Sequence, residues 1–220
     1  MAEFEQIFPG VWKSENKIFT KNLIPGDSTY ARLVEVERIG ELREWNPWRS
    51  KPAAAIVKGL KIFPLVKGAK ILYLGIASGQ TSTFFSDIID KEGVIYGIEI
   101  SERCVRDLNP IAEKRGNIVP IIADARKPEE YDWIEKVDVI YEDVASDDQT
   151  PIMIRNSKYF LKDNGFGMMA IKARSIDVVK KPEEVYKQEI EKLQEHFKIL
   201  DKVVLDPYEK DHLFLVMKKL

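Results

Sequence analysis

The chain has 220 residues, 45% apolar and 32% charged, enough for one full domain with a small extension and a core that needs no covalent staples. Lys and Arg number 34 against 36 Asp and Glu, so the net charge of −2 excludes a uniformly basic nucleic-acid coat protein while allowing a local basic patch. With Cys104 as the single cysteine and His196 and His212 as the two histidines, an internal disulfide, a cysteine zinc site and a histidine-rich metal site are excluded, and no metal is expected.

Residues 1–48 carry turns and β-type residues and read as a small β-rich extension. Pro9-Gly10 and Pro25-Gly26 mark turns. Val11-Trp12 and Ile18-Phe19 flank Ser14-Glu15-Asn16-Lys17 as in a hairpin, and Val34 and Val36 alternate with Glu35 and Glu37 as in a half-buried strand. From residue 49 to 220 strands and helices alternate. Pro52 opens an Ala-rich helix predicted from Ala53 to Phe63, because its missing N–H has no partner in a first turn anyway. Strands are predicted at Lys70–Leu74, Val94–Ile100, Ile118–Ile122, Val137–Tyr141 and Gly167–Lys172, the last after a turn at Asn164-Gly165. Ser101 is a predicted N-cap. A helix over Pro182–His196 puts Tyr186, Ile190, Leu193 and Phe197 on one face. Strands Lys198–Leu205 and His212–Lys218 are close enough in sequence for an antiparallel hairpin. The pattern predicts an α/β fold, a Rossmann-like parallel sheet whose final strand is antiparallel, as in class I methyltransferase sheets.

In such a sheet ligands bind beyond the carboxyl ends of the strands. The first of these loops is Gly75-Ile76-Ala77-Ser78-Gly79, followed by a helix that offers free N–H groups. It lacks the G-x-G-x-x-G that cradles a pyrophosphate. Glu99 ends the next strand, 20 residues after Gly79, where an acid can take both hydroxyls of an adenosine ribose. Asp124-Ala125 ends the third strand, where a carboxylate and an N–H can read an adenine edge. An adenosine without a pyrophosphate points to S-adenosylmethionine over NAD. Asp143 follows the fourth strand, Lys172 ends the fifth and His212 begins the last; Lys51, just before the first helix, can reach the same sheet edge.

These residues lie in segments that resemble a known family. Trp45-Asn-Pro-Trp-Arg-Ser-Lys51, Leu74-Gly-Ile-Ala-Ser-Gly-Gln-Thr81, Tyr96-Gly-Ile-Glu-Ile-Ser101, Ala123-Asp-Ala-Arg126, Val137-Asp-Val-Ile-Tyr-Glu-Asp-Val-Ala145, Ile171-Lys-Ala-Arg-Ser-Ile-Asp177 and Tyr208-Glu-Lys-Asp-His212 follow one another as in archaeal fibrillarin. The resemblance implies an S-adenosylmethionine-dependent methyltransferase of RNA ribose 2′-hydroxyls. Such an enzyme acts on rRNA and tRNA within a box C/D guide ribonucleoprotein. The implied partners are a Nop-family scaffold protein, a kink-turn-binding protein of the L7Ae type, the guide RNA and the target RNA. It further implies a cofactor site of Gly75, Gln80, Thr81, Glu99, Ile100, Asp124, Ala125, Asp143, Val144, Ala145, Ser146 and Gln149, and a catalytic set of Lys51, Asp143, Lys172 and His212. Gln80 stands where the family usually has threonine, and Ser146 where glutamine is common.

A ribose hydroxyl is a poor nucleophile at neutral pH, so the reaction needs alignment and removal of a proton. Lysine can act as base where desolvation and neighbouring positive charge favour its neutral form. Lys172 is assigned as base or hydroxyl-orienting group, Asp143 as its holder, and Lys51 and His212 as groups that position the hydroxyl and a nearby phosphate. Arg49, Arg174, Lys180 and Lys181 are candidates for an RNA-facing rim. The near-neutral charge predicts weak affinity for naked RNA. The residues alone leave open a methyltransferase of protein side chains, or a non-catalytic subunit of an RNA particle. A cytoplasmic location is expected: no apolar run approaches the ~20 residues of a membrane span, and the acidic start does not resemble a signal peptide.

Overall fold

The structure, a computed structural model, describes residues 3–220. Strands β1 (Glu5–Phe8), β2 (Val11–Ser14), β3 (Lys17–Lys21), β4 (Leu33–Val36) and β5 (Gly40–Trp45) form an antiparallel sheet in the order β1-β2-β3-β5-β4. The expected hairpin is β2–β3, with Ser14 paired to Lys17. Trp45 ends this sheet fully buried, stacked on Phe84 with ring centroids 5.2 Å apart. A 3-10 turn at Pro47–Arg49 then leads into α1 (Lys51–Val57).

α1 is shorter than the predicted Ala53–Phe63. The N–H groups of Leu60 and Gly59 fold back onto the carbonyls of Ala55 and Ile56 (2.9 and 3.0 Å), which closes the helix end. The apolar residues beyond it, Leu60, Phe63 and Leu65, are buried as irregular chain.

The second sheet contains β6 (Lys70–Leu74), β7 (Val94–Glu99), β8 (Ile118–Ile122), β9 (Val137–Glu142), β10 (Leu161–Lys172), β11 (Phe197–Val204) and β12 (His212–Lys219). Their order is β11-β12-β10-β9-β6-β7-β8, and β12 runs antiparallel to both of its neighbours. The helices between them are α2 (Gln80–Ile89), α3 (Glu102–Arg115), α4 (Gln149–Phe160), the short α5 (Ala173–Ile176) and α6 (Pro182–Gln194). The expected turn at Asn164-Gly165 lies inside β10. Asn164 takes φ +61° there, and the strand slips register against β9 between Leu161 and Phe166 instead of reversing. No helix among the described residues is long and apolar enough to cross a membrane.

Alternation along the strands divides the core between two faces. Tyr73, Tyr141, Met168, Ala170 and Phe214 face α1, α2 and α3; Leu72, Leu74, Ile140, Met169 and Leu213 face α4 and α6. The two sheets are joined through buried charge. Asp87 of α2 receives Arg43 of β5 (2.6 Å), Arg115 of α3 and the Thr20 hydroxyl (2.6 Å). Arg115 also pairs with Asp27 at 3.0 Å, and Arg43 lies over the Phe84 ring.

Asp87→Ala should destabilise the fold by about 3–5 kcal/mol, because two buried guanidinium groups lose their shared counter-ion; chemical denaturation measures it. Asp27 adds a pH term. Burial pushes its carboxyl up, but hydrogen bonds from Thr29 and Lys114 outweigh this and hold it at about 2, against an ordinary 3.8. A folded pKa below the unfolded one means stabilisation that is complete above about pH 4 and is lost as pH falls towards about 2. Denaturation midpoints should fall through that window in the wild type and depend less on pH in Asp27→Asn.

Candidate active site

Strand order reverses at β6, which lies between β7 and β9, so the loops leaving these strands part and open a cleft. The cleft holds 370 Å³. Gly75, Glu99, Ile100, Asp124, Ala125, Asp143, Val144, Ala145 and Ser146 all lie on its wall, with apolar Ile98, Ala123 and Ile152. Gly75 is needed because the chain turns there at φ +78° and a Cβ would stand 3.2 Å from the Asp143 backbone. Gly79 begins α2 at φ +94°, where a Cβ would stand 2.5 Å from Leu108 Cδ1.

The acids at the strand ends are oriented by backbone. Glu99 Oε2 accepts the Ala77 N–H and Oε1 the Ser101 N–H, both at 2.9 Å. Each oxygen keeps an unused lone pair. Asp124 Oδ1 accepts the Arg126 N–H at 3.0 Å. The Arg126 side chain, passed over in the sequence, bonds Asp148 (2.9 Å) and the Ser146 hydroxyl (2.6 Å), linking the loops after β8 and β9 across the cleft mouth.

Three expected cofactor residues are not on the cleft wall. Gln80 begins α2. Thr81 is buried, its hydroxyl 2.9 Å from that of Ser50. Gln149 is buried and both ends of its amide are engaged: Nε2 donates to the Ser146 carbonyl (2.7 Å) and Oε1 accepts the Lys172 N–H (3.1 Å).

Asp143 lies where the cleft meets α1. Its Oδ1 receives both ammonium groups, Lys51 at 3.0 Å and Lys172 at 2.9 Å, and Lys51 also donates to Oδ2 at 3.2 Å. Lys172 donates to the Asp143 carbonyl as well (2.8 Å). The three side chains are only 12–15% exposed. Burial pushes the Asp143 carboxyl up, but the charges and hydrogen bonds of Lys51 and Lys172 outweigh it and hold it below the ordinary carboxylate value. His212 is paired with Lys172 in register, and cross-strand partners share a face. Its Nδ1 donates to the Lys210 carbonyl (2.6 Å), which leaves Nε2 as an acceptor at the rim.

Two neighbours of Asp143 were not legible as functional. The Tyr141 hydroxyl donates to Asp143 Oδ2 at 3.4 Å, and burial followed by the Asp143 charge keeps this phenol protonated. Tyr141 lies two residues before Asp143 on the same face, so strand alternation was the available signal. Glu142 points to the opposite face, buried, with neither carboxyl oxygen bonded. Desolvation pushes its pKa well above the ordinary value, which favours the protonated form.

The expected basic rim is only partly free. Arg49 and Lys181 are exposed. Arg174 is engaged by Asp211 (3.0 Å) and by the carbonyls of Val178 and Lys180, and the Lys180 ammonium by Gln188 (3.1 Å) and Asp177 (3.5 Å). These two cations order the 177–181 loop.

Sheet topology and cleft together define a class I methyltransferase. The fibrillarin family model matches residues 2–220. A fibrillarin-like rRNA/tRNA 2′-O-methyltransferase of Pyrococcus furiosus is 52% identical over 218 residues, covering 96% of each chain. A crystal structure of Aeropyrum pernix fibrillarin with natively bound S-adenosyl-L-methionine superposes with a TM-score of 0.88 at 46% identity, covering 99% of this chain and 100% of that one. A fibrillarin/Nop5p complex also superposes at 0.88, with 37% identity and coverage of 98% and 100%. The chain belongs to the fibrillarin family.

Glu99→Ala should weaken S-adenosylmethionine binding by about 1.5–3 kcal/mol, roughly 10–150-fold, because a charged acceptor is lost and two loop N–H groups are freed. Titration calorimetry measures it, and an unchanged Kd would contradict the assignment.

Proposed function

We propose that this chain is an S-adenosylmethionine-dependent RNA ribose 2′-O-methyltransferase. It acts on rRNA and tRNA within a box C/D guide ribonucleoprotein, beside a Nop-family scaffold protein and a kink-turn-binding protein of the L7Ae type. Residues 49–220 carry the transfer and residues 1–48 brace them. The observation that carries this reading is the Lys51–Asp143–Lys172 cluster at the edge of a cleft suited to an adenosine.

The cleft residues fit the cofactor. Glu99 has unused lone pairs facing a cleft whose wall includes Ile98, Ile100 and Ala123. Glu99 would hold the ribose, Asp124 and Ala125 the adenine edge, and Asp143 to Ser146 the far side. When bound, S-adenosylmethionine supplies a methyl group already activated by the sulfonium.

What remains for the protein is to align a hydroxyl and accept its proton. Lys172 Nζ is held from two sides by the carboxylate and the carbonyl of Asp143, so it cannot swing away from the substrate edge. It orients the 2′-hydroxyl as the ammonium and, once it has released one proton to solvent, accepts the hydroxyl proton as the neutral amine. Lys51 comes from the start of α1 and, with His212, positions the ribose and its phosphate. Guide pairing selects the nucleotide, as suits a chain with little net charge for binding RNA alone.

In the assembled particle, Lys172→Ala should lower the single-turnover rate by roughly 10²–10⁴ and leave S-adenosylmethionine affinity nearly unchanged. Asp143→Ala should lower both, because its carboxylate faces the cleft and holds two lysines. Labelled-methyl transfer with parallel calorimetry separates the outcomes; near-normal turnover in Lys172→Ala would remove it as the base. The isolated chain should methylate target RNA little or not at all, and robust site-specific methylation without guide RNA would contradict the proposed assembly.

A further inference from the structure

The segment Trp45–Lys51 carries more chemistry than Lys51 uses. Where it meets the N-terminal sheet there is a second recess of 400 Å³, walled by Lys17, Tyr30, Arg32, Glu44, Asn46 and Arg49. Its one acid is occupied, since Lys17 Nζ lies 2.9 Å from Glu44 Oε1 and 3.0 Å from Oε2. Arg32 and Arg49 are exposed and have no carboxylate within 4.0 Å among the described residues. Arg38, Arg103, Arg106 and Arg155 also lack a carboxylate partner among the described residues, but Arg32 and Arg49 share the wall of one recess. Asn46 Oδ1 accepts the Trp48 N–H at 2.9 Å, which leaves its Nδ2 as a donor.

Two features tie this recess to the active site. Tyr30 holds φ +61°, a conformation unfavourable for a bulky residue, and its hydroxyl donates to the Ser78 carbonyl of the cofactor loop at 3.1 Å. Arg49 is two residues from Lys51, and the intervening Ser50 is bonded to Thr81. Beside Arg49, the Trp48 indole is 59% exposed and is met edge-on by Tyr208 at 4.8 Å between centroids. Guanidinium groups without counter-ions suit phosphates, which they can grip with two hydrogen bonds. An exposed indole suits the face of an unpaired base.

We infer that this recess and Trp48 dock the target RNA strand beside the reacting nucleotide, with Arg32 and Arg49 on backbone phosphates and Trp48 stacked on a flanking base. The inference rests on the assignment of an RNA ribose to the Lys51–Asp143–Lys172 site. It gives the N-terminal sheet a substrate-binding role in addition to its bracing one.

The test is single-turnover methylation in the assembled particle, against target RNA concentration and over a salt series. Arg32→Ala should raise the half-saturating RNA concentration about tenfold and reduce the slope of log affinity against log salt by roughly 0.7–1. Trp48→Ala should raise it about 5–100-fold with the salt slope unchanged, and Trp48→Phe should restore most of the loss. The saturating rate and S-adenosylmethionine affinity should stay at wild-type values in all three. Wild-type half-saturation and salt slope in Arg32→Ala would overturn the inference. So would weakened binding of the scaffold protein in the absence of target RNA, which would make the recess a protein contact. A wild-type particle that transfers no methyl to RNA would instead overturn the active-site reading, while variants with a lowered saturating rate and normal half-saturation would overturn the docking role alone.

Discussion

The Asp143 carboxylate lies between the ammonium groups of Lys51 and Lys172, and three parts of the fold meet through it. Lys51 arrives from α1, Lys172 from the end of β10, and Asp143 from the loop that walls the cofactor cleft. Two cations and one anion here are almost withdrawn from water, an arrangement that is stable only with good geometry and further hydrogen bonds. Lys172 meets the second condition by also bonding the Asp143 carbonyl, and Asp143 by accepting from Tyr141. The same cluster thus sets the position of Lys172 and one wall of the cleft.

The neighbouring Glu142 shows how far environment separates like groups. The two acids are consecutive, so the pleat sends them to opposite faces. Asp143 meets two lysines, which hold its carboxyl below the ordinary value; burial pushes that of Glu142 well above it. The two consecutive carboxyls are thus set apart in acidity, the charged form favoured in Asp143 and the protonated form in Glu142. The position of Lys51 depends in turn on the N-terminal sheet. Trp45 is stacked in the core six residues upstream, and the Arg43–Asp87–Arg115 set fastens that sheet to α2 and α3. Buried charge far from the chemistry thus helps to hold one of its lysines.

Much of the fold was legible because its elements obey local rules. Lys70–Leu74 and Ile118–Ile122 are short apolar runs bounded by turns, and both are strands with those limits. The helix after Pro52 was read too long because Leu60, Phe63 and Leu65 continue an apolar pattern that tertiary packing, not helix, makes use of. Asn164-Gly165 has turn composition, but the adjacent strands β9 and β12 hold it in the sheet as an irregularity. Glu99 and Asp124 were expected at the sheet edge from their position after strands, and both lie on the cleft wall. The inward turn of Gln149 and the capture of Arg174 by Asp211 were not expected, since a side chain's choice between ligand and neighbour depends on contacts distant in sequence.

The most direct test of this account is the ionisation of the two consecutive acids, followed by carbonyl-carbon NMR of the chain with labelled Asp and Glu, assigned with Asp143→Asn and Glu142→Gln. On titration Asp143 should release its proton below the ordinary carboxyl range of about pH 4, and Glu142 should release its proton above it. An Asp143 that titrates above that range, or a Glu142 that titrates at or below it, would contradict the charge arrangement on which the proposed chemistry depends.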